Sequence, residues 1–411
     1  MFSKNTHRVI LWLLYLNCFL LTTASAQYFD FTGNNKRKTT IPFRLVRNLV
    51  IIQLKINNQG PFNFVMDTGV GIMIITDPGL IDSLHIPVSR MLKLRGFGED
   101  EAYDAYASPE LAVTVAGLRS FAVDAAILKK DHFGLSSYAG MPIHGLLGYE
   151  FFNNLAVKVN FSDSTITVYN SKDKHKFAKG EKIPITIEAH KPYMEANVYL
   201  PDGNVKKSKL VVDLGAGHPL SLENIDEHSG IQKKCIHANL GVGFSGPING
   251  FLSRISQIEF GKYKIKNVIS SFPQDDSLKN YINVKRDGNL GIGLLKKFIV
   301  VFDYPDNAIY LKPGPNFKEP FEQDMSGLEY YADGDDFKRI IISRVEPGSA
   351  GDQIGLERND EILAINLKPI AKMSLEEVDS IFKSWNDRSL LLEIYHDNRH
   401  DLVIMKLKRR I

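Results

Sequence analysis

The sequence predicts a mostly β protein: two related β lobes in one chain, followed by a small α+β domain. Three observations carry this expectation. Short runs of β-branched and aromatic residues broken by turn residues dominate the first three quarters of the chain. The same succession of landmarks recurs about 146 positions later. A proline-rich stretch near residue 315 then separates this repeat from a segment with a different hydrophobic pattern. At 411 residues the chain exceeds what a single core ordinarily holds, so two or three domains are expected.

The first element is a targeting segment. Lys4 and Arg8 precede an apolar run over 9–21, and Thr22-Thr23-Ala24-Ser25-Ala26 follows it. That order is expected of a secretory signal peptide cleaved after Ala26, and the apolar run is short for a membrane span. The mature chain is therefore expected to be exported, periplasmic or extracellular, with no stable membrane span. Removal of the leader takes Cys18 with it and leaves Cys235 as the one cysteine, so internal disulfides are excluded and stability rests on packing. The eleven histidines are scattered and no His-Glu-x-x-His occurs, so no metal site is expected. A formal charge of +3 offers no electrostatic trap for nucleic acid.

The repeat comes next. In its first copy Leu49–Ile56 reads as a strand, Asn57-Asn58-Gln59-Gly60 as a turn, and 62–66 as a returning strand that enters Asp67-Thr68-Gly69-Val70-Gly71. The second copy runs over 193–200, turns at Pro201-Asp202-Gly203, and returns through 210–212 into Asp213-Leu214-Gly215-Ala216-Gly217. Further along, Gly145-Leu146-Leu147-Gly148 in the first copy answers Gly288-Asn289-Leu290-Gly291 in the second, at 78 and 75 positions from the respective aspartates. Between these landmarks each copy holds a glycine-bearing hairpin candidate, 94–106 with Gly96 and Gly98, and 240–254 with Gly243 and Gly246. Glycine permits the tight turns that a mobile flap over a substrate needs. Gly241 to Gly246 also spells Gly-x-Gly-x-x-Gly, but Pro247 and Asn249 follow where a dinucleotide site requires a helix, so the segment reads as the second flap.

A hydrophobic pair before Asp-Thr-Gly, with a hydrophobic-hydrophobic-Gly element some 80 residues on, resembles the retropepsin and pepsin clan of aspartic proteases over roughly residues 40 to 315. The resemblance implies retropepsin-like lobes, Asp67 and Asp213 as a catalytic pair supported by Thr68, Gly69 and Gly215, a water held between the carboxylates, protein or peptide substrates, and no cofactor. The chemistry explains the pair. Amide hydrolysis without a covalent intermediate needs a base for water and an acid for the leaving nitrogen, and two adjacent carboxyls sharing one proton supply both. The second triplet departs from the pattern at Leu214, where the clan has threonine or serine. In that clan the two hydroxyls bond across the lobe interface, so half of this cross-link is missing here, at roughly 1 kcal/mol per neutral hydrogen bond. His218 is expected as a polar side chain at the lobe surface. A non-catalytic peptide-binding relative is the competing reading.

After Pro313-Gly314-Pro315, the run Ile340-Ile341-Ile342 to Pro347-Gly348-Ser349-Ala350, then Ile354-Gly355-Leu356 and Asp360-Glu361-Ile362-Leu363-Ala364-Ile365-Asn366, resembles a PDZ domain of the circularly permuted bacterial type. Asn359 and Leu367 stand where glycine is usual. Ser374 and Glu377 have capping-box spacing at the start of a helix expected to reach Trp385. The resemblance implies a peptide groove between that helix and a strand near 327–331, with the amides of Ser326, Gly327 and Leu328 holding the carboxylate of a C-terminal peptide. The expected divisions are a signal peptide over 1–26, lobes over 27–178 and 179–318, and the PDZ domain over 322–411.

Overall fold

A computed structural model describes residues 28–33, 36–94, 102–170, 180–223, 230–231, 235–243, 246–274 and 284–411. The expected signal peptide and its cleavage site lie outside the described residues, as do Gly96 and Gly98. Among the described residues no helix is long and apolar enough to cross a membrane.

The repeated hairpins form as the alternation demands. Leu49–Ile56 pairs antiparallel with Gln59–Met66, and Lys191–Tyr199 pairs with Val205–Asp213. The returning strands end at Met66, just before Asp67, and at Asp213, and each pairs in parallel with the glycine-flanked element. Leu147 lies opposite Met66 in the first lobe, and Gly291 opposite Asp213 in the second. Parallel pairing holds the strand end at a fixed height, so each aspartate leaves its sheet at an equivalent place.

The lobes share a third sheet of six strands, in which Leu155–Asn160 of one lobe pairs antiparallel with Phe298–Asp303 of the other. One continuous apolar cluster runs beneath both lobes, from Phe29 to Phe321 and including Met66, Val212 and Leu214. The lobes therefore cannot part without exposing a common core. The C-terminal domain has its own cluster, from Met325 to Leu407, and its own sheet.

Two local expectations are corrected. The last long helix is Leu375–Phe382, ending three residues before Trp385, which is exposed. Its cap is half a capping box: Ser374 Oγ accepts from Glu377 N at 3.2 Å, while the Glu377 carboxylate turns to Lys368 Nζ at 2.6 Å. Asn359 and Leu367 hold φ of +76° and +65°, so both take the left-handed backbone that explains the usual glycine there.

Candidate active site

Asp67 and Asp213 face each other across the lobe junction and hydrogen-bond to one another. Room for this contact comes from the glycines two residues on. A Cβ on Gly69 would lie 2.5 Å from Asp213 Oδ2, and one on Gly215 would lie 2.2 Å from Asp67 Cγ. Each glycine is thus needed for space occupied by the opposite carboxyl. Each also orients its own aspartate, through Gly69 N donating to Asp67 Oδ1 at 2.7 Å and Gly215 N to Asp213 Oδ1 at 2.8 Å.

Thr68 is fully buried beneath the pair. Its hydroxyl donates to Val212 O at 2.7 Å and accepts from Leu214 N at 2.9 Å, so a single side chain ties both sides of the second triplet to the first lobe. Leu214 makes no such return bond, but it is wholly enclosed in the shared core. Burying a leucine contributes about 1.5–3 kcal/mol, which offsets the roughly 1 kcal/mol of one absent hydrogen bond.

The turns at the lobe junction are also exchanged. Asn48 donates to Gly217 O at 2.8 Å and accepts from Lys296 Nζ at 2.9 Å. In the mirrored position His190 packs over Gly71 and stacks on Tyr149 at 4.3 Å.

The pair is not electrostatically symmetric. Asn289 Nδ2 donates to Asp213 Oδ2 at 2.7 Å, giving Asp213 an N–H donor on each oxygen. Its register partner in the first lobe is the apolar Leu146, which offers nothing to Asp67. Burial and the adjoining Asp213 carboxylate hold the Asp67 carboxyl well above the usual carboxylate range. The Asp67 carboxyl is therefore the one whose protonated form its surroundings favour.

Three further groups surround the pair, and of these the sequence pointed only to His218, by its place after the second triplet. Burial pulls the Lys191 ammonium down against the attraction of both aspartates. Tyr304 carries a buried hydroxyl with no hydrogen-bond partner, and burial with the two aspartates raises its phenol well above its ordinary value. His218 corrects the expectation of a surface side chain: its Nε2 is enclosed without a partner, and burial pushes the imidazole down to about 4. It therefore stays neutral beside Asp213.

Of the flap glycines, Gly243 and Gly246 close the hairpin of Ile236–Gly243 and Gly246–Phe260, with a bulge between Asn239 and Val242. The three glycines of the Gly-x-Gly-x-x-Gly run thus lie on strands. The first hairpin pairs Leu94 with Tyr103, and its tip lies outside the described residues. The Ser326, Gly327 and Leu328 amides are engaged otherwise than expected. Ser326 N and Gly327 N each donate to Asp324 Oδ1 at 2.9 Å, and Leu328 N to Ser326 Oγ at 3.1 Å.

A two-lobed β chain that brings one Asp-x-Gly aspartate from each lobe into a shared pair has an aspartic-protease-like fold, here with a C-terminal PDZ region. Residues 52–151 match the family described as aspartyl protease, and residues 321–395 match the PDZ domain family. Among solved structures, the chain is similar to an aspartic proteinase from Irpex lacteus, at 10% identity and a TM-score of 0.47, over 69% of this chain and 99% of that one. A search of curated proteins returns no match.

Proposed function

We propose that this chain is an exported aspartic endopeptidase that hydrolyses peptide bonds with a water activated between Asp67 and Asp213. The observation that carries the proposal is the mutually bonded pair at the lobe junction, in which Asp67 is buried and Asp213 takes an N–H donor on each oxygen. In the proposed reaction Asp213 takes a proton from the water as its oxygen attacks the scissile carbonyl carbon. Asp67 gives its proton to the carbonyl oxygen. Collapse of the tetrahedral diol returns that proton to Asp67, while Asp213 passes its own to the departing nitrogen. No covalent bond to the protein forms, and the pair ends in its starting state.

The two flap hairpins would cover an extended substrate strand. Export is inferred from the leader-like first 26 residues. Recruitment of C-terminal peptides by the PDZ groove draws no support from its loop, whose amides are already engaged. The competing reading of a non-catalytic binder rests on Leu214 and on a C-terminal domain that needs no catalysis to bind, and the two hydrogen bonds made by Thr68 answer the first of these grounds.

The test is incubation of the mature chain with a diverse peptide library, with cleavage sites read by mass spectrometry. Cleavage is expected for the wild type and is expected to vanish in Asp67→Asn, a nearly isosteric change, with the fold retained. A wild type without cleavage, or an Asp67→Asn variant that cuts at the same rate, rejects the proposal.

A further inference from the structure

The PDZ groove lies between the Leu328–Asp333 strand and the Leu375–Phe382 helix. That strand ends its sheet, and among the described residues no strand pairs with its outer edge. A peptide ligand would bond along this edge and send its terminal carboxylate to the loop at 326–328. Both places are already taken.

Arg47, from the turn just before the Leu49–Ile56 strand, reaches across into the groove. Its Nη1 donates to Tyr330 O at 3.0 Å, a carbonyl of the open strand edge, and to Tyr138 O at 3.2 Å. Its Nη2 and Nε donate to the two oxygens of Asp379, on the groove helix, at 3.0 and 3.2 Å. The guanidinium also lies over the rings of Tyr330 at 4.5 Å and Tyr138 at 5.0 Å. The Arg47 side chain is only 7% exposed, and the Tyr330 hydroxyl donates to the same Asp379. A buried ion pair of this kind is favourable only when its geometry is good and its remaining groups are bonded, and here both conditions are met.

Two more contacts complete the closure. Gly140, which ends the short Leu135–Ala139 helix of the first lobe, sits over both groove walls: an added Cβ would lie 2.8 Å from Leu375 Cδ1 and 3.5 Å from Ala332 Cβ. On the other side Asn239, in the first strand of the second flap hairpin, donates to Glu329 Oε2 at 2.9 Å, one residue before Tyr330. The same PDZ strand therefore bonds both to the first lobe and to the flap of the second.

We propose that the ligand of this PDZ groove is the chain's own first lobe, with Arg47 and the Leu135–Ala139 helix as an internal partner. The domain is then a clamp between the first lobe and the second flap, not a receptor for the C-termini of other proteins. A tethered partner acts at roughly millimolar effective concentration, so a free peptide must outcompete it while also displacing Asp324 from the loop amides. Breaking the Arg47 contact releases lobe and flap together, because both hang on one strand.

The test uses the full mature chain in hydrogen-exchange mass spectrometry and in anisotropy titrations with paired peptides ending in a free acid or an amide. Arg47→Ala is expected to quicken exchange at least ten-fold in 135–139, 328–333 and 236–243 together, while Ser389–His396 in the PDZ core stays protected. Arg47→Lys, which keeps the charge but loses the fork, should give a smaller change in the same three segments if the alanine variant misfolds. The wild type should bind free-acid peptides no better than amidated ones. Micromolar binding of free acids with none of the amides overturns the proposal, as does unchanged exchange in the three segments of a folded Arg47 variant. Neither readout needs turnover, so the outcome is independent of the cleavage experiment.

Discussion

Thr68→Val replaces one buried side chain by another of nearly the same shape and deletes its hydroxyl. The change removes the bond to Val212 O and the bond from Leu214 N, and it leaves that carbonyl and that amide enclosed without partners. Each unsatisfied buried group costs roughly 1–3 kcal/mol, so about 3 kcal/mol is expected for the pair. In a unit of this size that corresponds to a fall in Tm of roughly 6–12 °C. The effect on catalysis should be of similar size. The two bonds set the height of Asp213 against Asp67, and a misplacement of about 1 Å in a reacting group can cost about 100-fold in rate. The assay is kcat on a fluorogenic peptide taken from the cleavage library, with a calorimetric melt of the same preparations. Thr68→Ser keeps the hydroxyl and serves as control, with kcat near wild type. A Thr68→Val protein that melts within 2 °C of wild type and turns over at the same rate would refute the view that this single hydroxyl registers the pair.

Asn289→Leu, which gives the second lobe the first lobe's residue, removes a charge-assisted bond of roughly 1.5–3 kcal/mol, so kcat/KM on the same peptide should fall roughly 10- to 100-fold with little change in KM. Glu150 is buried, with Oε2 unpartnered, and burial raises its carboxyl to about 7, so the folded state favours its neutral form. The corresponding stability is complete below about pH 4.5 and is lost as pH rises through about 7. Glu150→Gln should therefore equal wild type at pH 4 and exceed it above pH 8 by up to about 3 kcal/mol, as read from melts across pH.

Different parts of this protein were legible at different levels. Strand hairpins announce themselves through period-two alternation and turn residues, and the Leu49–Ile56 strand has the bounds that its residues predict. The helix starting after Ser374 was equally readable, but its end was not. Its last turn stops at Phe382, where the chain turns back so that Met325 N can bond to Phe382 O. That bond joins residues 57 positions apart, and no local signal encodes it.

Leu214 shows the same division within the site. Read as a string, it is a missing hydroxyl and a weakened cross-link. Folded, it fills the shared core while the hydroxyl of Thr68 reaches both its amide and the carbonyl before it. His218 reads as an ordinary polar residue after the second triplet, yet the fold encloses its Nε2 beside Asp213 and burial keeps it neutral.

From sequence alone came the pair of lobes, the two aspartates with their glycines, and the separate domain at the end, because each is written in short patterns and in the spacing of a repeat. Tertiary structure alone decided which aspartate receives the extra donor, how one threonine does the work of two hydroxyls, and what fills the PDZ groove. The reason is physical: Asn289 meets Asp213 across 76 positions, Thr68 meets Leu214 across 146, and Arg47 meets Asp379 across 332. Contacts at such separations depend on how finished sheets dock against one another, and a single chain of letters carries no local mark of that docking.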